Sequence, residues 1–135
     1  RAIELILDSD NVGECYNVGG NEEHANLDIV RRLCAGVDAA FEERPDLAKR
    51  FPDAPAATGK GTESLVTFVK DRPGHDWRYA IDASRIKADL GFEPKYDFES
   101  GLASTIRWML DNEAWWRAVM DGSYREWIDT QYVTR

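Results

Sequence analysis

Much of what would place this chain in a known chemical class is missing. No apolar run reaches the roughly 18 residues a spanning helix needs, and no signal-peptide pattern opens the chain, so nothing in it points to a membrane. Cysteine is scarce. Cys15 and Cys34 lie far apart, outside any CxxC or other metal-ligand spacing, and read as buried free thiols of a reducing cytoplasm. The two histidines, His24 and His75, sit in no HExxH context, and no serine sits in a GxSxG elbow. Neither GxGxxG nor GxxxxGK[ST] occurs, which removes the dinucleotide fingerprint and the P-loop. No tyrosine is followed four residues later by lysine, so a tyrosine–lysine acid/base pair is absent too. Positive charge is also short: 17 Lys and Arg stand against 25 Asp and Glu, a net −8 that argues against nucleic acid or an anionic membrane as partner. These absences favour binding over self-contained catalysis.

What is present suits one soluble domain over residues 1–135, with 43% hydrophobic and 31% charged residues. The chain opens at Arg1, without Met, directly into the apolar pattern Ala2-Ile3-Glu4-Leu5-Ile6-Leu7, which reads as the tail of a helix and suggests a fragment of something longer. Cys15-Tyr16-Asn17-Val18 reads as a short strand broken by Gly19-Gly20. Asn26 is an N-cap candidate, with Asp28 well placed against the dipole of a helix whose apolar positions Leu27, Val30, Leu33, Cys34, Val37 and Phe41 carry it to about Glu43. A glycine turn leading into a capped helix also leaves free N–H groups on which an anion can dock, though locally Asn26 reads as a cap. Pro45 opens a short helix over Asp46 to Arg50, and residues 52–64 form a surface excursion of little periodicity. Residues 65–69 read as a buried strand. Asp82 caps a helix over 83–90 with Gly91 at its left-handed end, and Asp97 caps another running through Ile106 and Leu110. The tryptophans Trp108, Trp115, Trp116 and Trp127 fall in helical stripes that read as core, with Gly122-Ser123 dividing two short terminal helices.

The densest chemistry lies in Asp71-Arg72-Pro73-Gly74-His75-Asp76-Trp77-Arg78-Tyr79, a loop between the strand at 65–69 and the helix after Asp82. Pro73-Gly74 calls for a turn. A guanidinium can hold a phosphate with two parallel hydrogen bonds and an imidazole can add a third, so the loop reads as an anion grip for a phosphorylated ligand. The alternative is a charged surface turn whose arginines pair with Asp71 and Asp76. In a protein this acidic, Arg72, His75 and Arg78 are the local concentration of positive charge that an anionic ligand requires.

Tyr16-Asn17-Val18-Gly19-Gly20-Asn21-Glu22, Asn26-Leu27-Asp28 and the block from Asp71 to Asp82 together resemble the C-terminal portion of the dTDP-glucose 4,6-dehydratases, extended short-chain dehydrogenases/reductases. The likeness continues through Leu90-Gly91-Phe92-Glu93-Pro94, Phe98-Glu99-Ser100-Gly101-Leu102 and Gly122-Ser123-Tyr124-Arg125-Glu126-Trp127-Ile128 to Gln131-Tyr132, leaving out the excursion around 44–64. The resemblance implies an α/β fold: a small, mainly helical substrate-binding domain with a few short strands. It implies a lyase that converts dTDP-glucose to dTDP-4-keto-6-deoxyglucose, with NAD bound on an N-terminal Rossmann domain and the catalytic groups outside this chain. It implies dTDP-glucose as ligand, that Rossmann domain as partner, a homodimer and a cytoplasmic location. Site residues follow by position: Arg72 and His75 on the diphosphate, Asp71, Pro73 and Gly74 shaping the backbone around the nucleotide, and Asn26 and Tyr132 completing the pocket. Arg78 and Tyr79 brace the loop, and Asn17 is structural. The alternatives are a nucleotide-sugar epimerase or other dehydratase of the same superfamily, or a non-catalytic nucleotide-sugar-binding module.

Overall fold

The computed structural model describes residues 1–70, 73–74 and 79–120. Helices dominate it. Along these residues run α1 (Ala2–Leu7), α2 (Asn26–Glu43), α3 (Asp46–Arg50), α4 (Ser84–Leu90), α5 (Phe98–Asp111) and α6 (Glu113–Met120), with 3-10 helices at Pro55–Thr58 and Thr62–Leu65. Helix α2 is the frame. Its threefold and fourfold apolar spacing buries Cys34 and Phe41, and α3, α5 and both 3-10 helices pack against it. Leu47 of α3 and Ile106 of α5 complete this core, and Leu47 is fully buried. Helices α2 and α5 come close because Gly36 has no side chain: a Cβ there would lie 2.6 Å from Ile106 Cδ1.

Polar contacts fix the corners. Arg50 donates to the Leu110 carbonyl at 2.6 Å and to Glu113 Oε2 at 3.1 Å, which ties α3 to the junction of α5 and α6. Arg44 pairs with Asp111 at 2.7 Å beside it. At the start of α5 the Asp97 carboxylate accepts from the Ser100 N–H at 2.8 Å, the N-cap expected of it. Helix α4 buries Ile86 and closes on Gly91 at φ 63°, where the left-handed backbone favours glycine. Asp82, one residue ahead of the N-cap position at Ala83, accepts from the Ser84 N–H at 2.9 Å. From the other end of the chain, Arg1 reaches the Glu93 carbonyl at 3.3 Å.

Several expectations are corrected. No strand occurs among the described residues: 15–18 and 66–70 carry no ladder, because a strand is completed only by a partner edge and neither segment has one here. Phe68 and Val69 are accordingly 81% and 83% exposed, not buried. Cys15, on the uncovered first segment, is exposed, while Cys34 is buried as expected. Asn26 makes no capping bond; Ala25, at φ −66° and ψ 140°, takes the cap position and Asn26 is the first helical residue. The tryptophan stripe is broken at Asn112, where α5 ends and α6 turns away. Trp108 and Trp115 consequently meet each other edge to face at 5.1 Å, 46% and 58% exposed, and are not core. Trp116 does face inward, stacking on Phe51 at 6.2 Å and donating to the Met109 carbonyl at 2.9 Å. The excursion at 52–64 is also ordered into the two 3-10 helices rather than merely passing over the surface. Trp127 and the helices expected around Gly122-Ser123 lie outside the described residues.

Candidate functional site

Asn26 stands exposed at the N-terminus of α2, and a small polar assembly sets where that end lies. Asn21 turns the chain with a left-handed φ of 54°. Glu22 Oε1 then accepts from the Phe98 N–H at 2.8 Å, and the His24 ring packs 4.2 Å from the Phe98 ring while lying 3.2 Å from Glu22 Oε2. Arg32, one side of α2, pairs with Glu99 and lies over the same Phe98 ring at 6.0 Å. The segment leading to Asn26 is thereby clamped to the start of α5. Nothing local announces this clamp beyond an acid, a histidine and an aromatic at ordinary spacing.

The loop read as an anion grip leaves the second 3-10 helix and returns at α4. Within that 3-10 helix, the Asp38 carboxylate of α2 accepts from the Thr62 N–H at 2.9 and 3.1 Å and from the Thr62 hydroxyl at 2.5 Å. Arg31 and Glu63 pair alongside at 3.4 Å. No motif surrounds Asp38, yet a signal is there: it lies four residues after Cys34 and three before Phe41, toward the buried face of α2, where a carboxylate needs a partner. On the returning side, Asn17 Nδ2 donates to the Asp82 carbonyl at 3.3 Å, and Ile81 packs beside Gly19. Between the two, Pro73 and Gly74 are exposed and in a turn, with Gly74 at φ 73° as the Pro-Gly pattern requires. Asp71, Arg72, His75 and Arg78 of the loop, and Tyr132 near the C-terminus, lie outside the described residues. No hydrogen bond or ion pair joins Asn26 to Pro73 or Gly74.

The electrostatics around the site are those of hydrogen-bonded carboxylates. The Ser84 N–H, and then its hydroxyl, hold the Asp82 carboxyl below its ordinary range. The Ser100 hydroxyl and N–H do the same for Asp97. Burial, with the Glu63 and Asp38 charges behind it, pushes the Cys34 thiol up, so it is an inert core group and not a nucleophile. A hollow bounded by Gly19, Asn21, Ala83, Lys87, Phe92, Glu93 and Pro94 lies beside the Asn17 contact. Its cation is already committed, because Lys87 pairs with Glu93 at 2.8 Å. Among the described residues no three His, Cys, Asp or Glu side chains gather to hold a metal ion, and no helix is long and apolar enough to cross a membrane.

Comparison with known proteins decides the family. The model described as GDP-mannose 4,6 dehydratase matches residues 1–105. The chain belongs to that family. Among its relatives, a dTDP-glucose 4,6-dehydratase of Neisseria meningitidis is 45% identical over 93% of this chain, and one of Xanthomonas campestris is 47% identical over 93%. In each case the chain spans 32% of the relative's length, about a third of the curated proteins it matches. A crystal structure of dTDP-glucose 4,6-dehydratase from Bacillus anthracis in complex with NAD superposes with a TM-score of 0.63 at 36% identity, covering 87% of this chain and 30% of that one. The mainly helical architecture is thus that of a portion of a family member. The dehydratase resemblance stated from the Asp71–Asp82 block is the one these relatives show.

Proposed function

We propose that this chain is the nucleotide-sugar-binding portion of a dTDP-glucose 4,6-dehydratase, a lyase whose NAD is held by another portion of the same protein. The observation that carries the reading is the 45% identity to a dTDP-glucose 4,6-dehydratase over 93% of the chain, together with the loop chemistry of Asp71 to His75. In this reading Arg72 and His75 grip the diphosphate. Asp71, Pro73 and Gly74 shape the loop around the nucleotide, and Asn26 and Tyr132 close the pocket. These groups work by position. Binding energy gathered at a diphosphate remote from the reacting carbons holds the sugar in register, which lowers the barrier without any proton passing through this chain. NAD, when bound, supplies the hydride acceptor for oxidation at C4 and the donor for return to C6 after water is lost. No residue of this chain is assigned to it.

The uncovered segments at 15–18 and 66–70 belong to the same proposal, as strands whose ladder partners lie in the NAD-binding portion. A cytoplasmic homodimer completes it. A second reading has a specific observation behind it, since the family model itself is named for a GDP-sugar. The base is therefore the point to test. Titration of the chain with dTDP, UDP and GDP by calorimetry is expected to rank dTDP first; a preference for GDP or UDP overturns the dTDP-glucose assignment. In the complete enzyme, Arg72→Ala is expected to weaken nucleotide-sugar binding by roughly 2–4 kcal/mol, the scale for removing a charged hydrogen-bond partner. An unchanged KM in that variant removes Arg72 from the diphosphate.

A further inference from the structure

Helix α2 begins at Asn26, yet its buried side chains, Cys34 and Phe41, both lie beyond its second turn. The turns that open with Asn26 therefore have no core anchor of their own. Nor does a side chain cap them. Ala25 holds the cap position and only its carbonyl serves, accepting from the Asp28 and Ile29 N–H groups at 3.0 and 3.1 Å. A helix start without a side-chain acceptor frays readily. Two ion pairs touch these turns, Arg31 with Glu63 and Arg32 with Glu99, but all four side chains are exposed, and pairs of that kind contribute little.

The segment just ahead of the helix is held differently. Glu22 Oε1 accepts from the Phe98 N–H at 2.8 Å, and Oε2 of the same carboxylate lies 3.2 Å from His24 Nε2. The His24 ring rests 4.2 Å from the Phe98 ring, and its side chain is only 22% exposed. Phe98 is the first residue of α5, a helix whose start is capped by Asp97 through the Ser100 N–H and whose Ile106 is buried. Glu22 and Asp97 thus each take one of the free N–H groups at that helix start.

We infer that Glu22 and His24 are positioning residues for Asn26, fastening the chain ahead of it to the start of α5 in place of the side-chain cap that α2 lacks. The inference rests on the reading of Asn26 as a pocket residue. Only Ala25 separates His24 from Asn26, so the direction in which the Asn26 side chain leaves the helix is set within two residues of a held ring. Neither Glu22 nor His24 needs to touch the ligand. Order that exists before the ligand arrives is order that binding does not have to create.

The test uses the complete enzyme with dTDP as the probe. Calorimetry reads the dissociation constant, peptide-level hydrogen exchange reads local order, and the melting temperature reads global stability. Asn26→Ala is expected to weaken dTDP binding about tenfold. Glu22→Ala and His24→Ala are each expected to weaken it about threefold to fivefold and to speed exchange about tenfold over 25–30, leaving 34–43 unchanged. Glu22→Gln keeps an oxygen for the Phe98 N–H and should stay within about twofold of the unaltered enzyme. The deciding measurement is the double variant of Glu22→Ala with Asn26→Ala, in which loss of the clamp should cost no further affinity once the Asn26 side chain is gone. Full additivity of the two losses overturns the positioning role and spares the pocket reading. So does affinity unchanged in both Glu22→Ala and His24→Ala while Asn26→Ala weakens binding. Absence of dTDP binding in the unaltered enzyme, or binding untouched by Asn26→Ala, overturns the pocket reading of Asn26 and the inference with it. A lowered melting temperature with faster exchange throughout α2 and α5 overturns the positioning role in favour of a general structural one.

Discussion

The packing of α2 on α5 can be examined at one pair of atoms. Gly36 lies in the interior of α2, where alanine would be favoured by about 1 kcal/mol on helix propensity alone. Against that stands Ile106 Cδ1, which a Gly36 Cβ would meet at 2.6 Å, roughly 1 Å inside an ordinary carbon–carbon contact. Ile106 is buried, so its methyl cannot simply swing into solvent. Overpacking of this kind costs about 1–3 kcal/mol, leaving Gly36→Ala destabilised by about 0–2 kcal/mol after the propensity gain. Ile106→Val removes the very methyl concerned, at about 0.5–1.5 kcal/mol when made alone. In the double variant the alanine keeps its helical advantage and meets no methyl, so the two changes should couple favourably by about 1–2 kcal/mol. Urea unfolding of the four proteins followed by far-UV circular dichroism gives the coupling directly. Additivity to within about 0.3 kcal/mol would mean that these atoms do not meet, and that α2 and α5 are related differently from the arrangement that clamps Asn26 beside Phe98.

Two further outcomes follow from the titrating groups. Iodoacetamide on the native chain should modify Cys15 and spare Cys34, whose thiol is buried and held neutral by the surrounding acids; equal labelling at both, read by peptide mass spectrometry, would contradict the placement of Cys34 in the core. Acid stability has a definite sign. Asp82, Asp97, Glu93 and Glu113 all have carboxyls lowered by their hydrogen-bond or ion-pair partners, so between the lowered and ordinary values the unfolded chain binds more protons. Their contribution is complete above the ordinary carboxylate values of about 4 and drains away as pH falls through the lowered ones. A melting temperature that declines below about pH 4, and declines less steeply in Asp97→Ala, is the expected profile; a rise on acidification would reverse the argument.

Helices were readable in the sequence because their signals are local. Spacing from Leu27 to Phe41 marked α2 to its last residue, Asp97 and Gly91 marked one helix start and one helix end, and Pro45 marked α3. Strands were not, because Val66, Phe68 and Val69 have strand-like chemistry whatever faces them, and pairing depends on an edge supplied from elsewhere. The tryptophan stripe failed for a related reason: Trp108 and Trp115 keep helical spacing only if the helix continues, and Asn112 ends it. Of the candidate site, the Pro73-Gly74 turn was legible, as was the block that tied the chain to its relatives; Asn26, which reads as a cap, is instead the first residue of α2. The side chains that hold those pieces in place were harder to see, since Glu22, His24 and Asn17 act across 65 residues or more of sequence, and no local pattern encodes such a partnership.

Helix α2 has a further property as a measuring rod. Asn26 and Asp38 stand about 18 Å apart along its axis, and each residue between them advances the chain by about 1.5 Å while rotating it by about 100°. A single insertion or deletion between those two positions would therefore swing one of them a quarter-turn or more out of line with the other, whereas extra residues at the exposed turn 58–60 can be absorbed at the surface. Length variation in related sequences has somewhere harmless to go on one side of this rod and nowhere to go within it.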